Sequence, residues 1–176
     1  SIKEITEAVT AVKDNGCENL LLFHCISAYP APIEQANLRN LIYLREKFDL
    51  EVGLSDHTNG NTAAIASIAL GASAIEKHFI LDRKNKGPDS EFSIEPNELR
   101  ELKDLTSKAW EALGSSVFER SKDEIKSKVF RRSLYFVKPL KKGEIVTSEN
   151  IRRIRPGYGL PPKYENTIIG MKLIQD

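Results

Sequence analysis

Val52-Gly53-Leu54-Ser55-Asp56-His57-Thr58 and Ala74-Ile75-Glu76-Lys77-His78-Phe79 are two short apolar runs that each reach a histidine. Each has the length and composition of a buried strand. The helix-forming stretch Thr62 to Leu70 lies between them and is stopped by Gly71. A strand, a helix and a second strand in this order place the two strands parallel in one sheet. His57 and His78 then share the carboxyl edge, where such folds keep their chemistry. Two imidazoles at one rim point to a divalent-metal site, and so to an enzyme.

The alternation extends in both directions. Ser1 and Glu4 form a capping-box pattern, and Ile2, Ile5, Val9 and Val12 keep helical spacing until Gly16. Leu20 to Phe23 reads as another buried strand, running into His24-Cys25-Ile26-Ser27. Tyr29-Pro30-Ala31-Pro32 is loop, because proline lacks the N–H that a ladder needs. Leu38, Leu41, Leu44 and Phe48 mark an amphipathic helix before the strand at Glu51 to Leu54. Ala74 to Ile80 is the third strand, Asp82 to Ser93 a polar loop, and Pro96 opens a helix carried by Leu99, Leu102, Leu105, Ala109 and Leu113. Residues 1–114 therefore read as an α/β domain with a parallel sheet. Three strands cannot close a barrel of eight, so this is a small open sheet or the last three βα units of a (β/α)8 barrel. Both ends of the chain look cut, and that favours the barrel piece.

Residues 115–128 are polar, without hydrophobic period, and read as a linker. From Val129 the character changes. Ser133 to Val137 is a strand, Lys141-Lys142-Gly143-Glu144 a turn, Ser148 to Ile151 a helical turn, and Arg152 to Arg155 a short basic strand. Residues 129–176 are expected to form a second, small, mostly β domain.

Composition excludes several classes. Of 176 residues, 40% are hydrophobic and 29% charged, enough to build a packed core. Lys and Arg number 26 against 25 Asp and Glu, so the chain as a whole gives no electrostatic case for nucleic acid or a membrane surface. No apolar stretch approaches the roughly 20 residues of a spanning helix. Cys17 and Cys25 follow no metal or redox spacing, and reduced thiols in a cytoplasmic protein are expected.

Strand alternation decides which neighbours share a site. Ser55 and His57 fall on one face with Asp56 opposite; Glu76 and His78 fall on one face with Lys77 turned toward the helices or outward. The expected cluster is His57, Ser55, His78 and Glu76, with Glu76 a supporting carboxylate. Against it stands the plainer reading of two hydrogen-bonded strand-end histidines with no metal. At the first strand, Ser27 and Tyr29 are favoured as the site-facing pair, and His24 as a packing residue. Asp89 overhangs the rim and could bind sugar hydroxyls, or could be a turn residue that satisfies its own backbone. Arg152, Arg153 and Arg155 with Lys141 and Lys142 form a basic run, an anion site or a solvated face.

Taken in order, these segments resemble the N-acetylneuraminate synthase family, which makes nonulosonic (sialic-type) acids from phosphoenolpyruvate and an N-acetylated sugar. The matching stretches are Leu22 to Pro30, Gly53 to Thr58, Glu76 to Phe79, Gly87-Pro88-Asp89, Phe92 to Pro96 and Arg155-Pro156-Gly157-Tyr158-Gly159. The resemblance implies the C-terminal part of a TIM barrel followed by a small antifreeze-like (SAF) domain. It implies His57 and His78 as ligands of Mn²⁺ or Mg²⁺, Ser27 and Ser55 as phosphoenolpyruvate contacts, and Tyr29 and Asp89 as sugar contacts. Arg155 matches a SAF-domain arginine that reaches into the partner's barrel in a domain-swapped homodimer. Ser27, the Ala-Tyr-Pro-Ala-Pro run and the Asp-Ser-Glu-Phe-Ser-Ile-Glu-Pro run look most like the pseudaminic acid synthase branch, whose sugar is a 6-deoxy diacetamido hexose. The lysines and the carboxylate of the family's first five barrel strands have no counterpart here, so the 176-residue chain alone is expected to be inactive. Two readings from other classes stand beside this one: a non-catalytic carbohydrate- or protein-binding module, and an unrelated metal-dependent aldolase barrel.

Overall fold

The structure is a computed structural model that describes residues 1–175. The chain divides into two compact units, Ser1–Ser115 and the residues from Ser116 onward. The first unit runs α1 (Ile2–Asp14), β1 (Leu21–Cys25), α2 (Asn40–Phe48), β2 (Glu51–Ser55), α3 (Thr62–Ala69), β3 (Ala74–Glu76) and α4 (Pro96–Leu113). Its sheet has the order β1-β2-β3, all parallel, with Cys25 opposite Ser55 and Ser55 opposite Glu76. The carboxyl ends of the three strands therefore lie level at one edge.

One face of this sheet is packed. Val52 is fully buried with Leu41 and Leu44 of α2, while Leu54 is buried with Ala36 and Ala63. Ala64, Ile94 and Leu102 join α3 to α4 beneath Ile75. The other face leaves Leu21 and Phe23 more than a third exposed. Gly53 lies on that face because nothing larger fits: a Cβ there would stand 2.9 Å from the Ala74 carbonyl oxygen and 2.6 Å from the Phe23 ring. The Arg45 guanidinium donates to the Gly71 and Leu70 carbonyls at 3.1 and 3.4 Å, a cation on the carbonyls that close α3.

β3 is shorter than its apolar run. Hydrophobicity alone predicts strand throughout Ala74 to Ile80, but the ladder to β2 ends at Glu76. Beyond it the backbone changes partner: the Ile94 N–H donates to the His78 carbonyl at 2.8 Å, and the Ile80 N–H to the Ile94 carbonyl at 3.0 Å.

The second unit contains α5 (Lys122–Lys126), β4 (Ser133–Phe136), β5 (Ile151–Ile154) and α6 (Glu165–Ile168). The stretch expected to be featureless linker carries α5, capped reciprocally by Ser121 and Glu124. β4 and β5 pair antiparallel over a core of Leu134, Val146 and Ile151. Gly159 passes against β4, where a Cβ would stand 2.9 Å from the Leu134 carbonyl. No helix among the described residues is long and apolar enough to cross a membrane.

The two units differ in charge. The first carries 12 Lys and Arg against 18 Asp and Glu, a net of −6; the second carries 14 against 7, a net of +7. The near-neutral total conceals this division.

Candidate active site

The carboxyl edge of the first unit's sheet brings most of the expected residues together. His57 and His78 stand with ring centroids 5.1 Å apart and planes at 72°. Tyr29 lies against both, at 4.3 Å from His57 and 5.7 Å from His78. Ser55 donates to Glu76 Oε1 at 2.8 Å, so the supporting carboxylate and the serine are joined across β2 and β3. Asp89 Oδ2 lies 3.3 Å from His78 Nδ1.

Hydrogen bonding determines what the histidines offer. His57 Nδ1 lies 2.9 Å from the Ile26 carbonyl oxygen, which can only accept, so the proton is on Nδ1. Its Nε2 is 3.5 Å from Ser55 Oγ, whose single hydrogen goes to Glu76. That leaves the Nε2 lone pair without a donor. His78 Nδ1 stands at ion-pair distance from Asp89 Oδ2, so a carboxylate lies behind it where His57 has a carbonyl. A donor set of two imidazoles, each oriented from behind by an oxygen on its other nitrogen, fits a divalent ion. Among the described residues no group of three or more His, Cys, Asp or Glu is arranged to hold a metal. Such an ion would take its remaining ligands from water and substrate.

The loop that carries Asp89 is pinned by Arg83. Its backbone N–H donates to Glu95 Oε1 at 2.8 Å, its Nε donates to the Ser93 carbonyl at 3.0 Å, and its Nη2 pairs with Glu98. The Glu95 N–H donates to the Glu98 carboxylate at 2.8 Å. That backbone bond, with Arg83 beside it, holds Glu98 below the ordinary carboxylate value of 4.5.

Other residues fall outside this cluster. Ser27 is exposed and takes no part in the hydrogen bonds that join it. His24 is buried, with Nε2 2.8 Å from the Ala36 carbonyl, as suits a packing residue. Arg155 is exposed in the second unit, at the end of β5. Within the same unit Arg153 pairs with Glu165, and Arg152 donates to the Ser148 and Ile151 carbonyls.

Sequence reading missed three members. Phe92 completes the ring cluster, 5.0 Å from His78 and 5.3 Å from Tyr29; it lies in a matching stretch, but nothing in the sequence assigned it to the site. Cys25 Sγ lies 3.7 Å from His57 Nδ1. Lys77 lies off the imidazole face as expected, but the buried pair it forms there with Asp56 at 2.8 Å was not foreseen. The signal for that pair was available, because Asp56 and Lys77 are 21 residues apart, the same step as the histidines.

Comparison with known proteins gives this geometry a family context. A model of the NeuB family matches residues 1–118, and a model of the SAF domain matches residues 131–176. A pseudaminic acid synthase of Campylobacter jejuni is 40% identical over 174 residues, 99% of this chain and 51% of that protein. An N,N'-diacetyllegionaminic acid synthase of the same species is also 40% identical, over 91% of this chain and 49% of that protein. Among solved structures, the N-acetylneuraminic acid synthetase of Leptospira borgpetersenii, in complex with citrate, has a TM-score of 0.66 at 35% identity, over 72% of this chain and 44% of that one. The chain spans about half the length of the curated relatives it matches. The expected architecture, barrel βα units followed by a SAF domain, agrees with these matches.

Proposed function

This chain belongs to the NeuB family, and on that premise we propose that the protein is a nonulosonic acid synthase. The reaction condenses phosphoenolpyruvate with an N-acetylated amino hexose and releases phosphate. One observation carries the reading: two imidazoles converge at the level ends of adjacent parallel strands, with the acceptor Nε2 of His57 left for a cation. His57 and His78 would hold Mn²⁺ or Mg²⁺. When bound, the ion supplies Lewis-acid polarisation of the open-chain sugar's aldehyde and a fixed orientation for both reactants.

The chain's own residues do the rest. Ser55 and Ser27 bind phosphoenolpyruvate, whose C3 attacks the aldehyde carbon to form the new C–C bond. Water adds at C2, and phosphate leaves with its C–O bond electrons. Glu76 holds Ser55 in place by accepting its proton in a hydrogen bond. Tyr29 and Asp89 orient the sugar, and Arg155 binds it from the SAF domain of a partner subunit. The opposite net charges of the two units support such a homodimer. Phosphoenolpyruvate is a cytoplasmic metabolite, and the cytoplasm is the proposed location. Equal identity to pseudaminic and legionaminic acid synthases leaves the sugar to the motifs, and the Ser27 and Asp-Ser-Glu-Phe-Ser pattern favours the 6-deoxy diacetamido hexose of the pseudaminic branch.

The test is phosphate release by the full-length protein with phosphoenolpyruvate and each candidate sugar, with Mn²⁺ and after chelation. Turnover with the pseudaminic precursor, abolished by chelator, is expected. Absence of release with every diacetamido and monoacetamido hexose would overturn the synthase assignment. Retained sugar affinity in an Arg155→Ala variant would favour an aldolase-type barrel instead.

A further inference from the structure

The backbone ladder between β2 and β3 stops before it reaches the histidines. Ser55 and Glu76 are the last paired residues, and one further bond, from the Asp56 N–H to the Glu76 carbonyl at 2.8 Å, closes the register. His57 and His78 lie beyond it and face each other without a hydrogen bond between them. Their outer anchors pull in different directions. His57 is tied to the β1 side through the Ile26 carbonyl and through the bond from the Ala31 N–H, while His78 is tied to Ile94 and Asp89. Some element must keep these two ends at a constant separation.

We infer that the buried Asp56–Lys77 ion pair is that positioning element, a clamp on the reverse side of the strand ends that sets the spacing of the two imidazoles. Asp56 immediately precedes His57 and Lys77 immediately precedes His78, so the pair spans the same gap one residue earlier. Their side chains are 1% and 3% exposed, which excludes solvent from a charge pair at 2.8 Å. The pair is also fully used. Lys77 Nζ donates to Asp56 Oδ2, to the Thr58 carbonyl at 2.9 Å and to the Gly60 carbonyl at 3.0 Å, matching its three hydrogens to three acceptors. Asp56 Oδ1 accepts the Thr58 N–H at 2.9 Å. One ammonium on β3's extension thus holds the whole turn that follows His57. Strand alternation keeps the pair off the imidazole face, so its role is through the histidines. This rests on the reading of His57 and His78 as the cation-binding pair.

The test compares the full chain with an Asp56→Asn, Lys77→Met double variant, which keeps the shapes and the Thr58 acceptor but removes both charges. Two readouts are taken: Mn²⁺ affinity by calorimetry, and the proximity of the His57–His78 and Tyr29–His57 rings by nuclear Overhauser effects. The clamp predicts a fall in Mn²⁺ affinity of about 10- to 100-fold and disappearance of the ring-to-ring Overhauser effects, while circular dichroism reports an unchanged fold. A purely structural role would lower the melting temperature and leave affinity and ring proximity as they were, and that result overturns the inference. If the unaltered chain binds no Mn²⁺, the cation reading fails by itself and the Overhauser effects alone decide the clamp. Should the double variant not fold, Lys77→Arg decides by the same criteria, because a planar guanidinium cannot meet three convergent acceptors as an ammonium does.

Discussion

His57 and His78 stand ring to ring at 5.1 Å, although the β2–β3 ladder ends two residues before either of them. Parallel pairing up to Ser55 and Glu76 brings the strand ends level. The hydrogen bond to the Ile26 carbonyl then makes Nε2 the acceptor nitrogen of His57, and the Asp89 carboxylate lies 3.3 Å from His78 Nδ1. Such an arrangement would suit a ligand that both rings share, as proposed above.

Replacing either histidine with alanine should abolish that shared ligand. His57→Ala or His78→Ala in the full-length protein is expected to lower Mn²⁺ affinity and phosphate release by more than about 100-fold, beyond the usual effect of losing an outer partner. Titration calorimetry and a phosphate assay on the same preparations would check this, and a variant retaining wild-type turnover would refute the assignment.

Acid should loosen the loop that carries Asp89. Glu98 is held below its ordinary value of 4.5, first by the Glu95 backbone N–H and then by Arg83. Its folded value is depressed, so its stabilisation is present above about pH 4.5 and is lost as pH falls through the folded value. The side chain is 39% exposed, so the effect after solvent screening is no more than about 1 kcal/mol. Hydrogen exchange at the start of α4 is expected to accelerate below pH 4.5 in the native protein, and Glu98→Gln should remove that dependence.

Leu41 is fully buried against Val52, Leu44 and Ala72. Leu41→Ala should cost about 2–5 kcal/mol, the range for a buried leucine that leaves a cavity. Urea denaturation followed by a probe in the first unit measures it, and a loss below half a kilocalorie would show that α2 is not packed on the sheet as described.

Gly53 should resist enlargement for a different reason. The Phe23 ring can swing aside, but the Ala74 carbonyl belongs to the neighbouring strand and cannot. Gly53→Ala is therefore expected to destabilise by about 1–3 kcal/mol, the usual cost of overpacking. Phe23→Ala in the same background should restore little of it, and full restoration would place the clash on Phe23 alone.

Much of the architecture was legible because it follows local rules. Alternation along Ser55-Asp56-His57 and Glu76-Lys77-His78 placed the histidines with Ser55 and Glu76, and Pro96 marked where α4 begins. Other features were not legible. The apolar run through Ile80 concealed the change of partner at Glu76, since hydrophobicity does not say which strand a residue pairs with. Phe92 lies in a polar loop, and only the folding of that loop, latched by Arg83, brings it against His78. A near-neutral total charge hid two units of opposite sign.

By itself the amino-acid order determined that two imidazoles would reach one edge of a parallel sheet, because a strand's side chains alternate by geometry and a helical crossover returns the chain in the same direction. Only the tertiary structure decided what those imidazoles can bind. Ser55 gives its single proton to Glu76 and not to His57, Ile26 fixes which nitrogen of His57 is protonated, and Asp56 meets Lys77 out of water. These are choices among competing hydrogen-bond partners far apart in the chain, and distance in space settles them.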